Sequence, residues 1–325
     1  MSNESWKPRE PVIIDCAFEE PDRIRELVRR GGPYWPTLRY VANQSELSAF
    51  GSGDRQLAII PWFRSDWAYG KALVEGADEV LNNKAFVDAA HTLFGAEVVN
   101  SQIVYVNVMG PMGVGPAHID VPAFRGIDRT DFPVTFLHLM HRSGLFESHR
   151  VAIATAVSWF YEGGHGEFEY WPDGVEAPSK RIEAPLSNRA VVGDNEIMFH
   201  RVAKIGESKS PIIQGASLDV ELVADSEGSE WAAIEKGREL ARYTDRDVRV
   251  SVSWKAEVFA DGEAARVRAD RSDDLRLDDV VDALLSDLAE KGHRGLAKPA
   301  DPVRDESFIR ILNETYPVPI PSGVA

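Results

Sequence analysis

The sequence predicts an α+β protein with a jelly-roll or β-sandwich core, α-helices flanking it at both ends and a helical insertion. Between residues 101 and 260, short strand-like runs are separated by Gly, Pro, Asp and Asn. Towards both ends of the chain, apolar residues instead recur at the spacing of amphipathic helices. We therefore predict a single catalytic domain over 1–325, with a mixed α/β flank at 1–100, the core at 101–260 and a C-terminal helix and tail at 261–325.

In the N-terminal flank, Pro11–Asp15 is predicted to be a strand, and Pro21 to open a helix that Gly31 and Gly32 end. A second helix is predicted from Asp78 to about Leu93.

The predicted strands of the core follow its apolar runs: Ile103–Val108, Glu167–Trp171, Ala190–Val192, Ile197–Phe199, Ser217–Val223 and Val248–Phe259. Helices are predicted at Pro133–Met140 and at Ser229–Tyr243, where Ser229 is a natural N-cap. After Asp270, helical spacing predicts an amphipathic helix, which carries Leu277, Val280, Val281, Leu284, Leu285 and Leu288. The Pro-rich tail from Lys298 is predicted to be irregular.

Composition narrows the class of protein. Apolar residues make up 44% of the chain and the formal net charge is −16, which disfavours nucleic-acid binding. The longest apolar runs are far shorter than the roughly 20 residues of a membrane span. With a polar N-terminus, we predict a soluble, cytoplasmic protein that binds a small molecule and neither nucleic acid nor membrane, its oligomeric state being open. Because Cys16 is the only cysteine, a metal would have to be held by His and carboxylates.

Three residues could form such a metal site. On an extended segment, His118 and Asp120 point to the same side. Further along the chain, a Gly193-Asp194 turn and a short apolar run lead to His200. Two histidines and one carboxylate form a facial triad, which leaves coordination positions of Fe(II) open. The alternative for His200 is a hydrogen-bonded core histidine.

The segment 248–255 alternates strictly, so that Arg249, Ser251, Ser253 and Lys255 share one face. The guanidinium of Arg249 and the hydroxyl of Ser251 together suit a carboxylate. Lys255 lies roughly 20 Å further along an extended strand, and we predict it to be a surface charge. The alternative is a strand with one solvated face.

Other residues near these motifs are candidates for binding organic ligands. Tyr105 and Asn107 alternate with valines. We predict that both side chains face the cavity of the core and hydrogen-bond a small molecule bound there, either a co-substrate or the substrate. The predicted substrate-binding residues are Trp62, Phe124, Arg125 and Trp171, with Arg125 as a possible anion contact.

The order of the motifs, His118-x-Asp120, then 163–174, then Gly193-Asp194 leading to His200, then Arg249-x-Ser251, resembles the iron(II)/2-oxoglutarate-dependent dioxygenase superfamily. The fold of that superfamily is a double-stranded β-helix, and the resemblance covers about residues 101–260. It implies that His118, Asp120 and His200 bind iron and that Arg249 binds 2-oxoglutarate. Arg249 follows His200 by 49 residues, further than is usual in the superfamily, which leaves Arg201 and Lys204 as fallback anchors.

The chemistry that the resemblance implies is consumption of 2-oxoglutarate and O2, release of succinate and CO2, and hydroxylation, desaturation or cyclisation of a small metabolite such as an amino-acid or natural-product intermediate. A carboxylate at Asp120, where related halogenases have a small residue, favours oxygen chemistry. Two rival functions remain open. A cupin-like metal-dependent isomerase or hydrolase would not need Arg249, and a non-catalytic binding protein of the same fold would not need all three ligands.

Overall fold

A computed structural model describes residues 7–40, 61–207, 213, 216–226 and 228–324 of the protein. The chain divides into two compact units. The first comprises Met1–Ile119, Ile153–Val258 and Pro321–Ala325, and the second comprises Asp120–Ala152 and Phe259–Ile320. The second unit takes residues from both the predicted core and the predicted tail, so the units do not coincide with the three predicted segments. That both serve one catalytic domain stays a prediction.

The described residues form seven α-helices: α1 (Pro21–Arg30), α2 (Asp78–Leu81), α3 (Lys84–Phe94), α4 (Val134–Ser143), α5 (Gly262–Asp270), α6 (Leu277–Glu290) and α7 (Glu306–Thr315). They also form fourteen strands: β1 (Val12–Ile14), β2 (Trp35–Pro36), β3 (Trp62–Phe63), β4 (Ala68–Tyr69), β5 (Val98–Met109), β6 (Ile153–Phe160), β7 (Phe168–Tyr170), β8 (Lys180–Ile182), β9 (Ala190–Gly193), β10 (His200–Val202), β11 (Glu221–Ala224), β12 (Glu230–Glu235), β13 (Arg238–Thr244) and β14 (Arg249–Phe259). None of the helices in this described part is long and apolar enough to cross a membrane.

The N-terminal elements confirm most of the predictions made for them. Strand β1 lies within the predicted strand, and α1 starts at Pro21 and ends at Arg30, with Gly31 as its C-cap. The predicted helix from Asp78 is instead two helices, because the side chain of Asn83 accepts a hydrogen bond from the backbone N–H of Phe86 at 3.2 Å and so starts a new helix, α3.

The largest sheet has the strand order β1-β9-β6-β14-β5-β3-β2, with β4 also paired to β5. Strand β14 lies between β6 and β5, and both of its faces are covered. The prediction that Lys255 is a surface charge is therefore wrong. Lys255 is only 9% exposed, and its ammonium group donates a hydrogen bond to the hydroxyl of Thr155 on β6 at 3.1 Å.

The two faces of β14 have different surroundings. On one face, the indole N–H of Trp254 donates to the backbone carbonyl of Leu81 at 3.0 Å, and the ring packs against Phe86 of α3. The other face carries Arg249 and Ser251 and belongs to the interior of the first unit. This interior is filled by one apolar cluster, here called the interior cluster: Met112, Trp159, Tyr161, Phe168, Tyr170, Ile182, Leu186, Val191, Met198 and Ile205.

A smaller antiparallel sheet has the order β10-β7-β8. An antiparallel bridge between His118 and His200 places His118 at the edge of this sheet. The predicted combination of α-helices with antiparallel sheets is confirmed. The chain alternates between the two sheets, because β5, β6, β9 and β14 belong to the large sheet whereas the His118 bridge, β7, β8 and β10 belong to the small one.

The segment before His200 differs from its prediction. Ile197–Phe199 was expected to be a strand, but the carbonyl of Asp194 accepts hydrogen bonds from the backbone N–H groups of Ile197 at 3.0 Å and Met198 at 2.8 Å and folds the segment into a turn. His200 therefore begins strand β10. The apolar side chains of the turn are buried, and burial alone does not distinguish a strand from a packed turn.

The helix predicted at Ser229–Tyr243 is wrong, because this segment forms the hairpin β12-β13, which pairs with β11. Lys236 and Gly237 both have positive φ angles, 51° and 77°, as a two-residue hairpin turn requires. The described residues of the predicted helical insertion therefore form strands, and its status as an insertion stays a prediction.

The second unit is helical in its described residues. Its core cluster includes Val280, Val281, Leu284 and Leu288 of α6, as the spacing predicted. The prediction of an irregular tail is wrong for α7, which starts where the side chain of Asp305 accepts a hydrogen bond from the N–H of Phe308 at 2.8 Å.

We predict that the protein loses stability in acid, because His141 is buried on α4. Burial, together with the positive charge of Arg150, lowers the pKa of His141 from 6.5 to about 3. As the pH falls from about 6.5 to about 3, the unfolded chain binds a proton that the folded one does not, so stability falls, by up to about 4–5 kcal/mol in total. We expect the free energy of unfolding, measured with urea, to depend less on pH over this range in His141→Phe than in wild type. His149→Gln is the control, and an unchanged slope in His141→Phe would contradict the prediction.

Candidate metal centre

His118, Asp120 and His200 are brought together: one potential ligand atom of each lies within 4.8 Å of the others. The backbones of His118 and His200 exchange two hydrogen bonds, of 3.0 and 2.9 Å, and their ring centroids are 4.5 Å apart. His200 is buried, Asp120 half-buried and His118 exposed, so the cluster reaches from the interior to the surface. Asp120 lies close to His118 because it follows His118 by two residues in the sequence.

Both imidazole rings are oriented in the same way. The Nδ1 atom of His118 lies 3.0 Å from the carbonyl oxygen of Pro116, and that of His200 lies 3.0 Å from the carbonyl of Met198. A carbonyl only accepts, so each Nδ1 carries the proton and each Nε2 presents a lone pair. This is the tautomer of a histidine that binds a metal through Nε2 while a backbone carbonyl holds its other nitrogen.

The donor set fits a divalent transition metal of the iron type. Two imidazole nitrogens and one carboxylate oxygen make a three-ligand site, which leaves coordination positions for other molecules, whereas a closed structural zinc site has four protein ligands. Among the described residues, no other group of three or more His, Cys, Asp or Glu side chains is as close together. Phe168 stacks on His200, with ring centroids 5.4 Å apart and planes at 26° to each other, and shields one side of the His200 ring.

Arg249 is the predicted co-substrate anchor, and it is 2% exposed inside the first unit. Its Nε donates to the carbonyl of Gly166 at 2.7 Å, and Nη1 lies 3.9 Å from the sulfur of Met109. Its Nη2 is buried and has no hydrogen-bond partner among the described residues. Burial lowers the pKa of Arg249 to about 10, so the group is a cation at neutral pH. A buried cation with an unsatisfied donor fits an anionic ligand.

Gly166 is what lets Arg249 lie so close to the loop after β6. Its φ is +73°, and a Cβ atom there would come within 3.1 Å of both the Arg249 side chain and the ring of Tyr161. His165, beside it, is a turn residue with φ 68°. His165 and Tyr161 line a cavity of about 450 Å³ in the first unit.

A row of contacts connects Arg249 with the metal site. The guanidinium carbon of Arg249 is 5.8 Å from the centroid of the Trp159 ring, and Trp159 is 5.7 Å from Phe168. Phe168 in turn stacks on His200. The guanidinium of Arg249 and the imidazole of His200 therefore face the same apolar interior.

The remaining predicted co-substrate residues lie on the inward faces of their strands. Ser251 is 4% exposed and is paired across the strands with Trp159. Tyr105 and Asn107 are half-buried and alternate with fully buried valines on β5, as predicted. They share a face of β5 with Met109, which contacts Arg249.

The predicted substrate-binding residues are scattered. Trp62 is 1% exposed and is paired with Val108, on the face of β5 opposite Tyr105, whereas its neighbour Phe63 packs edge-on against Tyr105 at 6.1 Å. The indole N–H of Trp171 donates to the carbonyl of Ser322 at 3.0 Å. A role in substrate binding stays a prediction for both tryptophans.

Phe124 and Arg125 belong to the second unit. Phe124 is 1% exposed in the core of that unit. The Nε of Arg125 lies 2.9 Å from both carboxylate oxygens of Asp273. Their substrate roles also stay predictions.

The two fallback anchors are engaged elsewhere. Arg201 neighbours His200 on β10 and so points to the opposite face, where its Nε lies 2.8 Å from the carboxylate of Glu169 and its guanidinium stands over Trp171. The ammonium nitrogen of Lys204 lies 3.4 Å from a carboxylate oxygen of Glu207. Of the three candidates, Arg249 is thus the one with a buried nitrogen that has no hydrogen-bond partner among the described residues. Sequence analysis overlooked Phe168 and Met109, although the alternation of β7 and β5 could have pointed to both.

Replacing Arg201 by methionine is expected to lower stability without weakening the binding of 2-oxoglutarate. Burial acts to raise the pKa of Glu169, but hydrogen bonds from Arg201 and Ser179 hold it below its ordinary value. Without Arg201, this buried carboxylate loses its best partner, at a cost on the order of 3 kcal/mol in unfolding free energy. The double variant Arg201→Met/Glu169→Gln should recover much of the loss, and weakened 2-oxoglutarate binding in Arg201→Met would contradict the assignment of Arg249.

Two comparisons with known proteins return nothing: no family model matches the chain, and no curated protein matches it. Several solved structures are similar to it. One is a 2OG-Fe(II) oxygenase family oxidoreductase from Burkholderia pseudomallei, with 14% identity, coverage of 76% of this chain and 85% of that one, and a TM-score of 0.41. Another is a Pseudomonas putida prolyl-4-hydroxylase, with 13% identity, coverage of 77% and 93%, and a TM-score of 0.36. A third is AviO1 from Streptomyces viridochromogenes Tue57, with 10% identity, coverage of 80% and 94%, and a TM-score of 0.39.

The three side chains provide the donor set of an open mononuclear metal centre with two histidines and one carboxylate. Within that class, the triad fits the iron(II)/2-oxoglutarate oxygenase superfamily that the sequence motifs resemble.

Proposed function

We propose that this protein is an Fe(II)- and 2-oxoglutarate-dependent oxygenase that hydroxylates a small organic metabolite. A metal site of two histidines and one carboxylate would also serve a cupin-like isomerase or hydrolase. Arg249 distinguishes the two, because such an isomerase or hydrolase would not need a buried cation with an unsatisfied nitrogen in the same interior as His200. This cation is the observation that carries the proposal.

Each group has a defined task. His118, Asp120 and His200 would hold the iron, with the two Nδ1 hydrogen bonds fixing the rings. Arg249 and Ser251 would bind the distal carboxylate of 2-oxoglutarate, and Phe168 would exclude water beside the ligand. The bound iron supplies the oxidative chemistry: 2-oxoglutarate, O2 and R–H become succinate, CO2 and R–OH, with one oxygen atom of O2 entering succinate and the other the product.

A double-stranded β-helix is the architecture that we propose for the first unit. In such a jelly roll, the chain passes back and forth between two facing antiparallel sheets. The alternation of β5, the His118 bridge, β6, β7-β8, β9, β10 and β14 between the large and the small sheet supports it.

The substrate is proposed to be a small molecule such as an amino-acid or natural-product intermediate. The half-buried pair of Phe63 and Tyr105 supports this, since it gives the inward face of β5 an apolar, aromatic wall.

The proposal is tested by incubating the purified protein with Fe(II), ascorbate and 2-oxoglutarate carrying ¹⁴C at C1, in air and with a panel of amino acids. We expect release of ¹⁴CO2 together with an equal amount of succinate, and neither in His118→Ala. If wild type releases no ¹⁴CO2 with or without any candidate substrate and does not bind 2-oxoglutarate in calorimetry, the oxygenase proposal fails.

A further inference from the structure

We propose that Trp159 is a second donor to the distal carboxylate of 2-oxoglutarate, acting beside Arg249 through its indole N–H. The inference rests on the proposed function and assigns a positioning residue to its co-substrate site. Trp159 lies on β6, is fully buried and is paired across the strands with Ser251 of β14.

The indole N–H of Trp159 is unsatisfied. Its Nε1 is buried and has no hydrogen-bond partner among the described residues. Leaving such a donor unpaired in an apolar interior is unfavourable, because the N–H has lost its hydrogen bonds to water. A buried tryptophan N–H therefore usually has a partner. Trp254 shows the ordinary arrangement, since its N–H donates to a backbone carbonyl.

The neighbour of Trp159 indicates what the partner is. Nη2 of Arg249 is also buried and unsatisfied, and the guanidinium lies against the Trp159 ring, 5.8 Å from its centroid. The N–H of Trp67 likewise has no partner among the described residues, so an unpaired indole alone does not indicate a ligand. An unpaired indole beside a second unsatisfied donor that carries a positive charge does indicate a ligand, because one anion can accept hydrogen bonds from both donors.

The hydrogen bonds of Arg249 limit how it can hold a carboxylate and leave acceptor positions for a second residue. Its Nε is already used by the carbonyl of Gly166, so Nε and Nη2 cannot grip a carboxylate as a fork. A carboxylate has about four acceptor positions on its two oxygens. Nη2, the hydroxyl of Ser251 and the N–H of Trp159 together would fill three of them.

The test compares 2-oxoglutarate with 2-oxopentanoate, which keeps the keto acid but has a methyl group in place of the distal carboxylate. Binding to the Zn(II)-loaded protein is measured by calorimetry for wild type, Trp159→Phe and the control Trp254→Phe, whose indole is satisfied within the protein. We expect Trp159→Phe to weaken 2-oxoglutarate about 10- to 100-fold and to leave 2-oxopentanoate unchanged. Trp254→Phe should alter neither.

A second measurement uses wild type, so it does not depend on the folding of a variant. In protein labelled with ¹⁵N-tryptophan, the assigned indole N–H signal of Trp159 should move downfield when 2-oxoglutarate binds with Zn(II), and should stay in place with 2-oxopentanoate. If wild type binds 2-oxoglutarate while this signal and the affinity of Trp159→Phe are both unchanged, the role of Trp159 is refuted and the proposed function stands. If wild type does not bind 2-oxoglutarate at all, both fail.

Discussion

His200→Ala is expected to abolish metal binding and with it all oxidation of 2-oxoglutarate. The substitution removes one of the three proposed metal ligands. Losing even an outer-sphere partner of a ligand usually costs 10- to 100-fold in affinity, so the loss of the ligand itself should exceed about 100-fold. Fe(II) affinity is measured by anaerobic calorimetry, with Co(II) absorption as a second readout of coordination.

The chain offers a matched control for this substitution. His91 also places its Nδ1 against a backbone carbonyl, that of Ala96 at 2.7 Å, but lies on α3 outside the triad. His91→Ala should keep full metal binding. Because His200 is buried, His118→Ala provides a variant at an exposed ligand that leaves the core intact. Retention of wild-type Fe(II) affinity in both His118→Ala and His200→Ala would refute the metal site.

Arg249→Gln is expected to weaken 2-oxoglutarate by about 30-fold to several thousand-fold, while the metal still binds. Truncating one partner of a buried, hydrogen-bonded charge pair costs about 2–5 kcal/mol or more. The binding of 2-oxopentanoate, which lacks the distal carboxylate, should change little. Calorimetry on the Zn(II)-loaded protein measures both affinities.

Lys255→Met is the matched control for Arg249. Lys255 is a buried cation on the same face of β14, but it stands roughly 20 Å further along the strand and donates to Thr155. We expect unchanged 2-oxoglutarate affinity in this variant even if its stability falls. The reverse pattern, in which Lys255→Met loses the co-substrate and Arg249→Gln keeps it, would transfer the anchor to Lys255.

Sequence periodicity predicted the parts of the site that lie on strands. On an extended segment, side chains two residues apart share a side, which placed His118 with Asp120 and Arg249 with Ser251. The same rule predicted that Tyr105 and Asn107 alternate with buried valines. It could not predict that both faces of β14 are covered, because the position of a strand within a sheet depends on residues far away in the chain. Lys255 was misjudged for this reason.

Local helix propensity gave a wrong prediction for the segment between His200 and Arg249. The segment 229–243 is rich in Ala, Glu and Arg, which favour helices, but Lys236-Gly237 supplies a hairpin turn, and pairing with β11 determines its structure. Conversely, α7 was missed because prolines on both sides suggested an irregular tail, although Asp305 is a good N-cap. The division of the chain into two units left no signal in composition.

Anaerobic addition of Fe(II) and 2-oxoglutarate tests the central claim most directly, because the chelate of iron with the keto acid has a weak visible charge-transfer band. Formation of the band requires both halves of the claim, the metal ligands and the co-substrate site. We predict the band in wild type and in His91→Ala, and its loss in His200→Ala. Absence of the band in wild type at any excess of Fe(II) and 2-oxoglutarate would contradict the assignment of this protein as a 2-oxoglutarate-dependent iron oxygenase.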